Sequence, residues 1–251
     1  MGVHYGVVVA EVEKPYNPLD RVELGKSIVR ALLAKPLHPL PPTQRFPGAG
    51  LYAIYYRGTL PLYAPIAMPR GGEGDVPIYV GRARPPGARK GLVSLETMTT
   101  KTVLWDRLRE HAESISSVER YYESQREQGG LRLADFRCRY LVVDDFWVPL
   151  AETLLIAHYK PVWNVKVEGF GIHDPGRGRQ DQKRSDWDQL HPGREFAFRL
   201  ANAKHSPEEI EESVRKHLAE LPAPNLDEMP EIDESVQEAL ATEDLEEVSD
   251  T

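Results

Sequence analysis

Apolar positions change their period several times along the chain, and each change marks an element. Val7 to Val9 form a short strand-like run. Asn17-Pro18-Leu19-Asp20 reads as a helix start, and Val22, Leu24, Ile28, Leu32 and Leu33 follow near helical spacing, predicting a helix over about 19–34. The proline-rich stretch Pro36 to Pro47 reads as a linker. Gly50 to Tyr56, GLYAIYY, is aromatic and β-branched, as strands are. Residues 57–75 read as an irregular excursion with a short strand at Leu60 to Tyr63. Val76 to Val80 reads as a second strand stopped by Gly81. Helices are predicted over 103–115, with Thr102 as N-cap, and over 117–128, ended by Gly129-Gly130. Phe136 to Asp144 reads as a strand, and Val148 to His158 as a short helix with Pro149 in its first turn. A turn through Lys160-Pro161 leads to Trp163-Asn164. Residues 168–195 form one long polar loop, of a length usual for functional or disordered segments; its tryptophan and interleaved arginines favour function. Trp187 within it reads as a buried anchor rather than a base-stacking residue. Ser206-Pro207-Glu208-Glu209 starts a capped helix running to about Leu221, and beyond Pro222 the acidic, aromatic-poor chain is expected to be disordered.

The 251 residues suffice for one sizeable core, and a composition of 41% hydrophobic and 28% charged residues is that of a globular chain. No apolar run is long enough to span a membrane, and the first residues lack the basic segment and cleavage site of a secretory leader. Cys138 is the single cysteine, so no intramolecular disulfide or multi-cysteine zinc site can form, which fits a cytoplasmic protein. The net charge of −8 hides an asymmetry. Residues 206–251 carry 16 acidic and two basic side chains, which leaves residues 1–205 at +6. A basic body suits a polyanionic partner, although an ordinary solvated surface with a solubilising tail fits the same numbers.

Single residues carry little chemistry here, but their order does. Gly50-Leu51-Tyr52 lies on one strand and Tyr79-Val80-Gly81 on the next. Arg107 and His111 follow one helical turn apart, hence on one face. Glu152 comes on a later short helix, and Asn164 lies 12 residues after it. There is no GxxxxGK[ST] phosphate loop, and His173, His191 and His205 lack metal-ligand spacing.

This series of parts resembles the GIY-YIG nuclease superfamily over roughly residues 47–166, with its tripeptides in the forms GLY and YVG. The resemblance implies an α/β (α+β) fold, with a small three-stranded antiparallel sheet flanked by helices. Residues 57–75 lengthen the gap between the tyrosine motifs, as in the restriction enzymes of the superfamily. Asn17 to Asp20, Trp163-Asn164 into Gly169-Phe170-Gly171, and GRGRQDQKRSDWDQLHPGR at 176–194 look like the type II GIY-YIG restriction endonucleases of SacII-type specificity. With them the resemblance covers about 17–196. The expected organisation is an N-terminal extension over 1–46, a nuclease domain over 47–205, and a capped helix with an acidic tail over 206–251.

Phosphodiester hydrolysis needs an activated water, a neutralised phosphate and a stabilised leaving oxygen. Glu152 can anchor a Mg²⁺ or Mn²⁺ ion that keeps several waters. Arg107 offers a planar fork of donors to a phosphate oxygen. The resemblance implies that Tyr52 orients or deprotonates the attacking water with His111 behind it as proton acceptor. Tyr79 would position phosphate or nucleophile, and Asn164 would bind phosphate or hold the site in shape. Which of Tyr52 and His111 is the base stays open. Two basic segments are candidates for contacting double-stranded DNA: Arg82, Arg84, Arg89 and Lys90, and then Arg177, Arg179, Lys183, Arg184 and Arg194. Arginine reads guanine bidentately in the major groove, which suits a GC-rich target. The resemblance implies a palindrome such as CCGCGG, cut by a homodimer. Repair or homing nucleases share such a core but attach separate recognition domains. A non-catalytic DNA-binding protein on the same fold, or an interaction protein acting through the acidic tail, are the readings from other classes.

Overall fold

A computed structural model describes residues 21–71, 74–84, 100–127, 129–144, 147–172 and 182–225. The strand-like run at 7–9, the helix start at 17–20 and the acidic tail beyond residue 225 lie outside these described residues. Four strands form one antiparallel sheet: β1 (His38–Pro39), β2 (Gly50–Tyr56), β3 (Tyr79–Ala83) and β4 (Phe136–Val142), in the order β1-β4-β2-β3. The expected three-stranded sheet therefore gains a fourth, two-residue strand from the proline-rich segment, which pairs along the free edge of β4.

Every residue of β2 is buried, because it is central and both its faces are covered. Leu51, Ala53 and Tyr55 face α1 (Arg21–Leu33) and α4 (Val148–Tyr159), which supply Val29, Leu32, Ala151, Leu154 and Leu155. Tyr52, Ile54 and Tyr56 face the other layer. That layer contains α3 (Val103–Gln125), α5 (Val162–Val165), α6 (Asp186–Leu190) and α7 (Pro207–Glu220), with a short α2 (Ala64–Ala67) beside them. Period-two alternation thus divides β2 between two separate cores.

Several expected boundaries move. β3 starts at Tyr79 rather than residue 76 and runs through Gly81, whose register partner is Tyr52. The short strand expected at 60–63 is a 3-10 turn, Pro61–Tyr63, leading into α2; Pro61 in its first turn favours that conformation. The two helices expected over 103–128 are one helix, α3. Ser117 sits within it, its hydroxyl donating back to the Glu113 carbonyl at 2.9 Å instead of competing for the helix's own N–H groups. The helix ends at Arg126, in a left-handed conformation, before the glycine pair is reached. Thr102 sits at the N-cap position, but its hydroxyl bonds the Asp106 side chain rather than a backbone N–H. The capping box at Ser206 and Glu209 has both reciprocal bonds. The boundary drawn at residue 205 marks no break in packing: Ile210, Val214 and Leu218 of α7 enter the same core as Tyr52.

The excursion over 57–75 is tied to the sheet by Asp75. Its buried carboxylate pairs with Arg57 at 2.8 Å and Arg139 at 2.9 Å. Burial alone would raise this carboxyl, but backbone N–H groups of Arg70 and Gly71 and the two guanidinium groups hold it below its usual value. Among the described residues, no helix is long and apolar enough to cross a membrane.

A second buried polar chain lies in the α6–α7 layer. Trp163 Nε1 donates to the Tyr63 hydroxyl at 3.0 Å, and that hydroxyl lies 2.7 Å from His191 Nε2. Tyr63 therefore donates to an unprotonated Nε2. Burial pulls His191 down to about 3 from its ordinary 6.5. The unfolded chain then takes up a proton below pH 6.5 that the folded chain refuses, so stability is lost as pH falls from 6.5 towards 3. Lowering the pH from 7 to 5 is expected to cost about 2 kcal/mol through this group. Urea unfolding at both pH values checks this: His191→Gln has no proton to gain and should show a correspondingly smaller pH slope than the natural chain.

Candidate active site

Tyr52 of β2 and Tyr79 of β3 project to the same face of the sheet, with ring centroids 6.2 Å apart. Gly81 makes the first placement possible. A Cβ on residue 81 would stand 2.4 Å from the Tyr52 hydroxyl, so only glycine lets the phenol lie across β3. The hydroxyl ends 2.6 Å from Nε2 of His111, on the buried face of α3. Burial drives the Tyr52 phenol well above its usual range, the nearby Tyr79 adds to this, and Glu152 contributes a smaller part; Arg107 works in the opposite sense. The phenol is therefore protonated at rest, and the 2.6 Å contact places it to donate to the tautomer of His111 whose Nε2 is unprotonated.

Arg107 lies one turn before His111. Its Nη1 donates to Glu110 at 3.2 Å and its Nη2 to the Gly171 carbonyl at 2.8 Å. Burial opposes its charge, but Tyr52, Tyr79 and Glu110 more than offset that, and the group stays cationic. Tyr79 is raised by burial and by Glu152, and lowered by Arg107. Tyr52 and His111 are almost wholly enclosed, whereas Arg107 keeps 21% of its side chain accessible and Glu152 16%. Arg107, Glu152 and the part-buried Tyr79 are thus the accessible front of the group and the Tyr52–His111 pair its enclosed part, with Glu152 linked to it through the effect of its charge on both phenols.

Glu152 reaches this place from α4, on the opposite side of the sheet, at the β3 edge. Its charge raises both phenols, and its Oε2 pairs with Nε of Arg82 at 3.1 Å. Among the described residues, no cluster of three or more His, Cys, Asp or Glu side chains could hold a metal. A single carboxylate beside phenols and a guanidinium is an oxygen-only donor set. It fits a hard cation that keeps its waters and takes further oxygens from a substrate, and does not fit a protein-caged metal. Asn164 is committed to structure: its Oδ1 accepts from the Val80 N–H at 2.8 Å and its Nδ2 donates to the Val80 carbonyl at 2.9 Å. It acts as a substitute neighbouring strand along the open edge of β3, between Tyr79 and Gly81. Of the two roles open to it, holding the site in shape is the one this geometry serves.

The basic residues expected to face DNA separate into different environments. Arg82 is at Glu152, inside the site. Arg84 is half-buried, and its Nε has no hydrogen-bond partner among the described residues. Lys183 is exposed, while Arg184 donates to the Ala197 carbonyl at 3.1 Å and reaches Gln189 at 3.4 Å. Arg194 is a correction. It is buried, bonded to Asp188 and to three carbonyls, and presents no guanidinium to a groove. Arg89, Lys90, Arg177 and Arg179 lie outside the described residues. Trp187 is fully buried, as an anchor is.

A family model, the Eco29kI GIY-YIG domain, matches residues 44–218, more than two thirds of the chain. The chain belongs to this family of GIY-YIG nucleases. No curated protein compared with it gives a match. The matched segment runs into α7, as far as residue 218, and the fold joins that helix to the core. It is an endonuclease domain whose substrate is DNA.

The sequence marks the turn at 168–172 only as part of a functional loop and of the resemblance; in the structure it closes over this GIY-YIG site. Phe170 stacks on the His111 ring at 4.5 Å and 18°, and meets Tyr79 edge-on at 4.9 Å. A phenylalanine flanked by two glycines was the available signal: glycine at 171 is what lets backbone approach Arg107 and Tyr79 this closely. Gly81→Ala is expected to cost about 1–3 kcal/mol through overpacking against the Tyr52 ring, read by urea denaturation. An unchanged midpoint would show that the ring can move aside freely.

Proposed function

We propose that this chain is a type II restriction endonuclease that hydrolyses both strands of DNA at a GC-rich palindrome such as CCGCGG, as a homodimer, with Mg²⁺ or Mn²⁺. The observation that carries the reading is the 2.6 Å Tyr52–His111 bond set behind Tyr79, Arg107 and Glu152 within an Eco29kI-type GIY-YIG domain. Glu152 would hold the divalent cation, which supplies positive charge to the phosphate and to the leaving oxygen.

The residues divide the remaining work. Tyr79 and Arg107, at the accessible front, orient the scissile phosphate, with Arg107 offering charge-assisted hydrogen bonds to its oxygens. The attacking water gives its proton to the Tyr52 oxygen as Tyr52 gives its own to Nε2 of His111, which becomes an imidazolium. The two residues so serve as one base, and the buried phenol never has to persist as an anion, the form that burial disfavours. Asn164 keeps β3, and with it Tyr79, in register.

Specificity for GC-rich DNA is assigned to arginine and lysine side chains of two basic segments: Arg84, Arg89 and Lys90 after the second motif, and Arg177, Arg179, Lys183 and Arg184 in the later segment. Each correct bidentate arginine–guanine pair contributes about 1–3 kcal/mol of discrimination. A palindrome calls for a two-fold protein on two half-sites. The cytoplasm is the compartment in which such an enzyme meets incoming DNA.

Digestion of long DNA with Mg²⁺, followed by sequencing of the ends, tests the reading. Discrete fragments ending within one palindrome are expected, and random ends or no cleavage refute site specificity. Glu152→Ala is expected to lower the cleavage rate by a factor on the order of 10³ while leaving DNA binding largely intact. Equal cleavage by Glu152→Ala would remove this carboxylate from the mechanism.

A further inference from the structure

Arg194 uses all five of its N–H groups inside the protein. Nε donates to Asp188 Oδ1 at 2.6 Å, and Nη2 to Asp188 Oδ2 at 2.7 Å and the Gly169 carbonyl at 2.8 Å. Nη1 donates to the carbonyls of Phe170 at 3.2 Å and Ile172 at 2.9 Å. The guanidinium lies over the rings of Trp187 and Phe196, and both partners of the ion pair are nearly inaccessible. Asp188 also accepts from the Ser185 hydroxyl at 2.7 Å. A buried pair so completely satisfied holds its geometry, because any displacement strands a charge without water.

What this pair holds is the turn over the nuclease site. Two residues of that turn touch catalytic groups: the Gly171 carbonyl accepts from Arg107 Nη2, and the Phe170 ring stacks on His111. The gap beside Gly171 has no slack, since a Cβ there would lie 2.8 Å from the Tyr79 hydroxyl and 3.1 Å from Arg107 Nη2. We infer that Arg194, with Asp188, is a positioning residue of the active site: it clamps the Gly169–Ile172 turn, which sets the orientation of Arg107 and His111. This inference rests on the nuclease reading. Arg194 lies 24 residues from Phe170 in sequence and acts through the backbone of the turn, not on the substrate.

Two substitutions probe it from opposite ends. Arg194→Lys keeps the charge but has only three donors and no planar fork, so it cannot grip both Asp188 and three carbonyls. Gly171→Ala leaves the clamp whole and disturbs only the contact with Arg107 and Tyr79. Each is compared with the natural full chain by single-turnover cleavage across pH, by DNA binding without divalent metal, and by the ring NMR signals of His111 without DNA. Expected are shifted His111 signals, cleavage slower on the order of 100-fold at unchanged DNA affinity, and a displaced pH–rate profile. Unchanged His111 signals and pH profile in both variants overturn the inference. So does a loss of cleavage explained wholly by a loss of DNA affinity. Should Arg194→Lys not fold, Asp188→Asn, which weakens the same clamp from its other side, is read by the same measurements, and unchanged His111 signals and pH profile there overturn the inference. If the natural chain cuts no DNA while the His111 signals still shift, the nuclease reading fails and the clamp on His111 stands.

Discussion

The short hydrogen bond between the Tyr52 phenol and the His111 imidazole is the constraint on which the site is built. It joins residues 59 positions apart, on a central strand and on a helix packed over it. The phenol must cross the neighbouring strand to reach the helix, which is why residue 81 has no side chain. It must also stay protonated in a place where its anion is strongly disfavoured. In the reading proposed above, that pairing lets the water's proton pass inward without the phenol persisting as an anion.

The two-faced sheet explains how a site of this kind draws on distant elements. Tyr52, Tyr79, Arg107 and His111 come from one side, and Glu152 with Arg82 from the other, meeting at the β3 edge. An edge strand would normally expose unpaired backbone groups. Here Asn164 caps Val80 with both ends of its amide, and the Trp163 N–H bonds the Ile78 carbonyl. The edge groups of Ile78 and Val80 are thereby met by side chain and turn backbone rather than by a further strand.

Charge is distributed by the same logic. Arginines that composition alone would assign to the surface are divided between the interior and the site: Arg194 grips a turn, Arg139 and Arg57 share Asp75, and Arg82 holds the carboxylate proposed for the metal. Burying a guanidinium is tolerable where its charge is paired, and each of these meets a carboxylate.

Local pattern was enough to find β2, β4, α4 and α7, since alternation, helical spacing and the Ser206 capping box are short-range properties of neighbouring residues. The order of Tyr52, Tyr79, Arg107, His111 and Glu152 could be read from the chain because strand and helix periods place each on a known element. Partnership could not be read. That Arg82 would face Glu152, that Arg194 would turn inward to backbone carbonyls, and that Phe170 would stack on His111 depend on packing between segments far apart in the chain. Composition registers an arginine only as a charge. Whether its five donors meet a phosphate, a carboxylate or a turn of main chain is decided when the two cores close around the sheet.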